Sequence, residues 1–312
     1  KVMPRSHMVA KYMVVAYVGL SGLAVLGFWL AGMGAFDAVN HAMSAIATGG
    51  FSTSDASLGK WQQPAVHWVA VVVMILGSLP FVLYVATLRG NYRALLRDEQ
   101  VRGFIKVLLI SWLALASWYT LTTELHWLEA LRHVAVNITS VMTTTGFAVG
   151  DYHLWGPFAS MIFFYLGFVG GCSGSTAGGL KIFRFQVAYI LLKANLKQLV
   201  HPRAVIKQNY NRHRLDEDIA RSILAFSFFF TITIAVLALA LAMCGLDWIT
   251  ALTGAAATVS GVGPGMGPII GPAGNYAGLP EIAKWLLTIG MLLGRLEILT
   301  VLVLLFPAFW RH

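Results

Sequence analysis

Residues 128–147 open on Leu128-Glu129, pass through Arg132-His133 and a run of apolar side chains, and end on Thr143-Thr144-Thr145-Gly146-Phe147. A helix crossing a bilayer core about 30 Å thick needs roughly 20 apolar residues. The apolar part here is shorter and runs straight into threonine and glycine, so it reads as a re-entrant half-helix that stops inside the membrane. Phe36-Asp37 leads in the same way through His41 to Ala47-Thr48-Gly49-Gly50-Phe51, and Leu246-Asp247 leads to Ser260-Gly261-Val262-Gly263-Pro264. The acids Asp37, Glu129 and Asp247 suit helix starts, where free N–H groups and the positive dipole end favour an anion. His41 and His133 hold similar places in two segments and have no counterpart in the third, which points to packing or a hydrogen bond rather than a metal site or proton relay.

Around these segments lie stretches long enough to cross a bilayer: 12–31, 65–88, 104–121, 222–244 and 285–310, the last interrupted by Arg295 and Glu297. A sixth, 157–199, is broken by the run Gly170 to Gly179, which holds five glycines. Of 312 residues 58% are hydrophobic and 11% charged, against about 45–50% and about 25% in soluble domains. That balance excludes disorder and argues against a soluble enzyme. The net charge of +9 is a topological label, not a nucleic-acid footprint: 18 of the 22 Lys and Arg fall in loops on one side, the pattern of cytoplasmic loops. Lys60, Arg132 and Lys284 lie on the other side, with the three short segments. Cys172 and Cys244 have no ligand-type or disulfide spacing.

Half-helices that start outside point their negative C-terminal ends into the membrane, where they favour a cation. Glycine lets the backbone turn its carbonyls toward a common axis, and rings of carbonyls select alkali cations by replacing their hydration shell. For a single copy, threonine and glycine after a helix read equally as an ordinary C-cap; three copies in equivalent places favour a filter.

These exits, together with Gly170-Gly171-Cys172-Ser173-Gly174-Ser175-Thr176-Ala177-Gly178-Gly179-Leu180-Lys181 and Gly294-Arg295-Leu296-Glu297, resemble the Trk/Ktr/HKT superfamily of potassium transporters, most closely its bacterial TrkH-type subunits. The resemblance runs through essentially the whole chain. It implies an all-α polytopic membrane protein of the bacterial inner membrane, built from helix–pore-loop–helix units of a potassium-channel-like pore. The units divide as 1–98, 99–214 and 215–312, three of the family's four. The last carries the arginine that the family places in its final repeat, so the remaining one is expected before Lys1.

The resemblance also implies potassium, as transported ion and not cofactor, held by Thr48, Gly49, Thr144, Thr145, Gly261 and Val262. The wider filter takes in Gly50, Gly146, Ser260 and Gly263. Without a longer filter stretch of the Thr-Val-Gly-Tyr-Gly type at each exit, discrimination against rubidium or sodium should be weaker than in strict potassium channels. The run Gly170, Gly171, Ser173, Gly174, Ser175, Thr176, Gly178 and Gly179 is expected to lie under the filter as a gate, with Arg295 projecting toward the pore as an electrostatic barrier. Two plainer readings stay open: a kinked helix, and an arginine bracing backbone carbonyls or an acid. Implied partners are a second copy of the chain, membrane lipid, and a cytosolic nucleotide-binding ring of the TrkA type docked on the basic segment 181–221.

Other classes fit less well. An intramembrane serine protease at Gly171-Cys172-Ser173-Gly174 lacks a base, since His201, His213 and His312 fall in loops or at the terminus. A phosphate-binding loop lacks the Gly-Lys-Ser/Thr ending. A secondary transporter with discontinuous helices is the stronger alternative, although its repeats are usually inverted and these share one orientation.

Overall fold

The computed structural model describes residues 3–203, 206–211, 213–304 and 307–310. Among these, three helices are long and apolar enough to cross a membrane: residues Ala10–Leu30 of α1 (Met3–Leu30), α6 (Glu99–Thr122), and residues Asp218–Met243 of α10 (Glu217–Met243). Each is followed by a short helix: α2 (Ala35–Ile46), α7 (Trp127–Met142) and α11 (Trp248–Ser260). These are the expected half-helices. Their starts differ in chemistry. The Asp247 carboxylate caps α11 by accepting from the Thr250 amide at 3.1 Å, whereas Asp37 and Glu129 sit inside the first turns of α2 and α7.

The helix that follows each half-helix is interrupted. The stretch 65–88, expected as one continuous span, is two helices, α3 (Pro64–Gly77) and α4 (Phe81–Leu88), bent by 90°. The physical reason is Pro80, which has no N–H to donate and disfavours helical backbone at the preceding residue. The short helix α5 (Ala94–Arg97) then leads into α6. In the second unit, α8 (Pro157–Val169) and α9 (Ile182–Val200) flank the glycine-rich run. In the third, after the short α12 (Gly267–Ile270), α13 (Glu281–Arg295) stops at Arg295 and α14 (Ile298–Leu304) restarts beyond Glu297.

Each half-helix packs between the helix before it and the interrupted helix after it, α2 between α1 and α3, α7 between α6 and α8, α11 between α10 and α13. The units meet where α3 packs on α7 and α8 on α11. The apolar interior follows this arrangement in three clusters, centred on Phe28 and Ile46, on Phe104 and Ile138, and on Leu241 and Ala255. A two-residue antiparallel hairpin, β1 (Asn209–Tyr210) with β2 (His213–Arg214), follows α9. It is tied back to the helices by Tyr210 on Gln186 at 2.6 Å and Asn211 on Asp98 at 2.8 Å. The whole is an all-α polytopic membrane fold.

Candidate functional site

The three half-helices end in one shared geometry. Thr48, Thr144 and Gly261 have φ of 50°, 55° and 73°. Their amides donate to the carbonyls three residues back, in Ala45, Val141 and Thr258, at 3.2, 3.1 and 3.1 Å. The next amides, of Gly49, Thr145 and Val262, reach five residues back to Ser44, Ser140 and Ala257 at 2.8, 2.8 and 2.9 Å. This is a helix C-cap with one left-handed residue, so the plain capping reading describes the local turn correctly. Two of the three left-handed residues are nevertheless threonine, a β-branched side chain for which that backbone is an outlier costing roughly 1–3 kcal/mol. Such strain persists where the surroundings over-determine it.

Two residues further on, Gly50, Gly146 and Gly263 are left-handed again. Glycine is required there for a second reason, close approach of the exits. A Cβ on Gly50 would overlap the Thr145 carbonyl, and one on Gly146 would lie 2.5 Å from the Val262 carbonyl oxygen. The exits therefore stand side by side in the order first, second, third, and space is open beside Gly263. The Gly263 carbonyl accepts from the Tyr276 hydroxyl at 2.6 Å, and Asn137 clamps the segment after the second exit through both bonds to Val149, at 3.0 and 2.9 Å. No group of three or more His, Cys, Asp or Glu side chains able to hold a metal occurs among the described residues. The oxygens on offer at the exits belong to the backbone and to threonine and serine hydroxyls.

The glycine-rich run lies against the ends of these half-helices. The Thr176 hydroxyl is 2.8 Å from the Ile46 carbonyl of α2 and 2.9 Å from the Gly77 carbonyl of α3. The Thr48 hydroxyl is 2.9 Å from the Thr176 carbonyl, and the Gly178 amide donates to the Thr144 hydroxyl at 2.7 Å. A Cβ on Gly178 would sit 2.5 Å from the Ser260 carbonyl of α11. The other side of the run is moored to the bend between α3 and α4 and to α6. There the Cys172 amide donates to Ser78 at 3.0 Å, the Phe81 amide to Gly174 at 2.9 Å, and the Ser173 amide to the Gln100 side chain at 2.6 Å. Gly170 and Gly179, both left-handed, close the loop on itself through backbone contact, and the Ser175 hydroxyl donates to the Cys172 carbonyl at 2.7 Å.

Arg295 donates to the Thr176 carbonyl at 2.8 Å, so it braces a backbone carbonyl of the loop. Glu297, at φ 57°, turns away from Arg295 and faces Arg184 and Lys181, 3.4 and 3.9 Å from its carboxylate oxygen. Arg295, Lys181, Arg184 and Glu297 line a cavity of about 200 Å³ floored by Ser175 and Gly178. The histidines behave as packing groups. His41 bonds the Asp37 carbonyl and the Ser52 hydroxyl, with Trp61 and Phe147 against its ring.

The structure thus sets Thr176 and Gly178 of the run against the half-helix exits, while Cys172, Ser173 and Gly174 face the α3–α4 bend and α6. Residues not expected at the site include Gly77, Ser78 and Gln100, which hold the loop, and Arg184, which with the motif residues Lys181 and Glu297 holds its exit. One signal for the first pair was present. Gly77-Ser78-Leu79-Pro80 occupies the place of Gly294-Arg295-Leu296-Glu297, and both leading glycines admit a half-helix carbonyl, Ile46 at Gly77 and Val259 at Gly294. Nothing in local spacing announces Gln100.

Comparison with known proteins identifies the family that shares this fold. The model of the TrkH family, described as a cation transport protein, matches residues 1–311. The chain is 54% identical over 313 residues to the Trk system potassium uptake protein TrkI of Halomonas elongata, covering 100% of this chain and 63% of that protein. It is 35% identical over 315 residues to the Trk system potassium uptake protein TrkH of Salmonella typhimurium, covering 64% of it. The crystal structure of the potassium transporter TrkH from Vibrio parahaemolyticus superposes with a TM-score of 0.93 at 32% identity, over 99% of this chain and 66% of that one. The chain therefore spans a little under two thirds of the length of these relatives. With a family model matched over nearly every residue and a shared fold at 32% identity, the chain belongs to the TrkH family of cation transport proteins.

Proposed function

We propose that this chain forms a potassium pathway in a multi-pass protein of the bacterial inner membrane, moving the ion passively down its electrochemical gradient. The observation that carries the reading is the threefold repetition of one half-helix exit, left-handed at Thr48, Thr144 and Gly261 and again at Gly50, Gly146 and Gly263. Three negative helix ends converge there, and the strained backbone presents carbonyls of Thr48, Gly49, Thr144, Thr145, Gly261 and Val262 as ligands for a dehydrated cation. The run from Gly170 to Gly179 acts as the gate, and its hydrogen bonds to the first two half-helix ends and its close approach to the Ser260 carbonyl of the third support that role. Arg295 holds the gate by its Thr176 bond and adds a positive barrier beside it.

The names of the relatives support potassium as the ion. Exposed Lys193, Lys197, Arg203 and Lys207 on and after α9 support docking of anionic lipid and of a nucleotide-binding regulator of the TrkA type. Assembly as a homodimer belongs to the same reading. The test is ion flux into vesicles containing the purified protein as encoded by its own gene, compared for potassium, rubidium, sodium and lithium. Potassium and rubidium should lead, and equal flux for all four would remove the selectivity claim. Deleting Gly174 to Ala177 should raise flux, and unchanged flux in a well-folded deletion would remove the gate. Saturable, cation-coupled uptake of an organic solute would favour a secondary transporter instead.

A further inference from the structure

The break between α13 and α14 touches the loop region twice. At the first point Arg295 holds the Thr176 carbonyl in the middle of the loop. At the second, Glu297 faces the residues on which the loop ends, 3.4 Å from the Arg184 guanidinium and 3.9 Å from the Lys181 ammonium.

Both sides of this second contact sit on strained backbone. Lys181 and Glu297 have φ of 67° and 57°. Neither side chain is of the Asn or Asp kind that tolerates the left-handed region, and such conformations survive only where the surroundings enforce them. Thr48 and Thr144, the filter residues, share this property. Arg184 is oriented in advance, since its guanidinium donates to the Leu180 carbonyl at 3.0 Å and lies 3.6 Å from the Phe226 ring centroid. Three cations around one cavity would suit an external anion, but Glu297 already faces two of them.

We infer that Glu297 is a positioning residue for the gate: by pairing with Arg184 and Lys181 it locks the loop exit to the break in the third interrupted helix, so that loop and break move as one unit. The inference deepens the gating function proposed above and rests on it. It also supplies a route for control from the cytoplasmic side. α9 begins at Lys181 and leads directly into the exposed basic segment, so a displacement of that segment acts on the clamp before it acts on the filter.

About half of the Glu297 side chain is exposed, and exposed pairs contribute little, so release of the clamp should shift the loop equilibrium roughly two- to fivefold. Neutralising Glu297 also leaves three cations uncompensated beside the pathway, which by itself slows cation flow. A readout independent of conduction is therefore needed. The experiment introduces Ser175→Cys into the full protein in vesicles and measures its rate of modification by a membrane-impermeant thiol reagent, with the reaction of native Cys172 and Cys244 subtracted from the parent.

Glu297→Gln and Arg184→Gln should each raise that rate about two- to fivefold, and the double variant should match a single one. Glu297→Asp should restore the parent rate. Parent-like labelling in both single variants, or effects that multiply in the double, would overturn the clamp. If the loop deletion and Arg295→Ala still raise flux in that case, the gate stands and only the clamp falls. If they leave flux unchanged, the gate falls as well. Measurement from both partners keeps the test decisive should one variant fail to fold.

Discussion

Arg295 and Thr176 lie 119 residues apart in the chain and are joined by one hydrogen bond of 2.8 Å from guanidinium to carbonyl. The same oxygen lies 2.9 Å from the Thr48 hydroxyl. One backbone carbonyl thus connects the exit of the first half-helix, the glycine-rich loop, and the interrupted helix of the third unit.

Replacing Arg295 tests that connection. The bond comes from a charged donor but is solvent-exposed, so it is assigned about 1 kcal/mol, a factor of about five in an equilibrium. Arg295→Ala should raise rubidium flux into vesicles roughly fivefold, and Arg295→Lys, which keeps the charge, should stay closer to the parent. Equal flux in parent and Arg295→Ala at matched protein content would refute a restraining role.

Thr176 is the second test. Its hydroxyl serves the Ile46 and Gly77 carbonyls at 2.8 and 2.9 Å, a bond of about 1 kcal/mol net. Thr176→Ala should lower the thermal midpoint modestly and raise flux, whereas Thr176→Ser retains the hydroxyl and should do neither. A rise in flux with Thr176→Ser equal to that with alanine would show that the methyl group, not the hydrogen bond, holds the loop.

Glycines at the helix crossings predict a graded loss of stability. A Cβ on Gly294 would overlap the Val259 carbonyl, and one on Gly77 would lie 2.8 Å from the Ile46 carbonyl oxygen. Overpacking typically costs about 1–3 kcal/mol, so Gly294→Ala should sit near or above the top of that range and Gly77→Ala lower. Thermal unfolding in detergent reads the order, and the reverse order would contradict the crossing geometry.

Asp247 predicts an acid limb. The Thr250 hydroxyl and amide beside its carboxylate hold its pKa below the usual value, which is about 3.9 for aspartate. Because the folded value is depressed, the capping contribution is present above the ordinary value and is lost as pH falls through the lowered one. Asp247→Asn keeps a good cap and should flatten the fall in thermal midpoint below about pH 4. An unchanged acid limb in that variant would assign the fall to other groups.

Much of the candidate site was legible locally. Half-helix lengths, the Thr-Gly exits and the broken stretch at Gly170 to Gly179 follow from apolar run length and backbone freedom, both properties of neighbouring residues. The bend at Ser78-Leu79-Pro80 was equally local but was read through, because the apolar composition of 65–88 masked the proline. The three acids were legible as helix starts, yet only Asp247 became the capping residue, since the cap depends on where the chain turns and not on charge alone.

The sequence by itself determined a membrane protein of repeated half-helices, because composition, periodicity and glycine placement act over a few residues. Only the tertiary structure decided what holds the loop: Gly77 and Ile46 from the first unit, Gln100 and Thr144 from the second, Arg295 and Glu297 from the third. Those contacts link residues up to 130 positions apart. Their partners are chosen by which carbonyls remain free at helix ends once the units pack, and no local spacing encodes that.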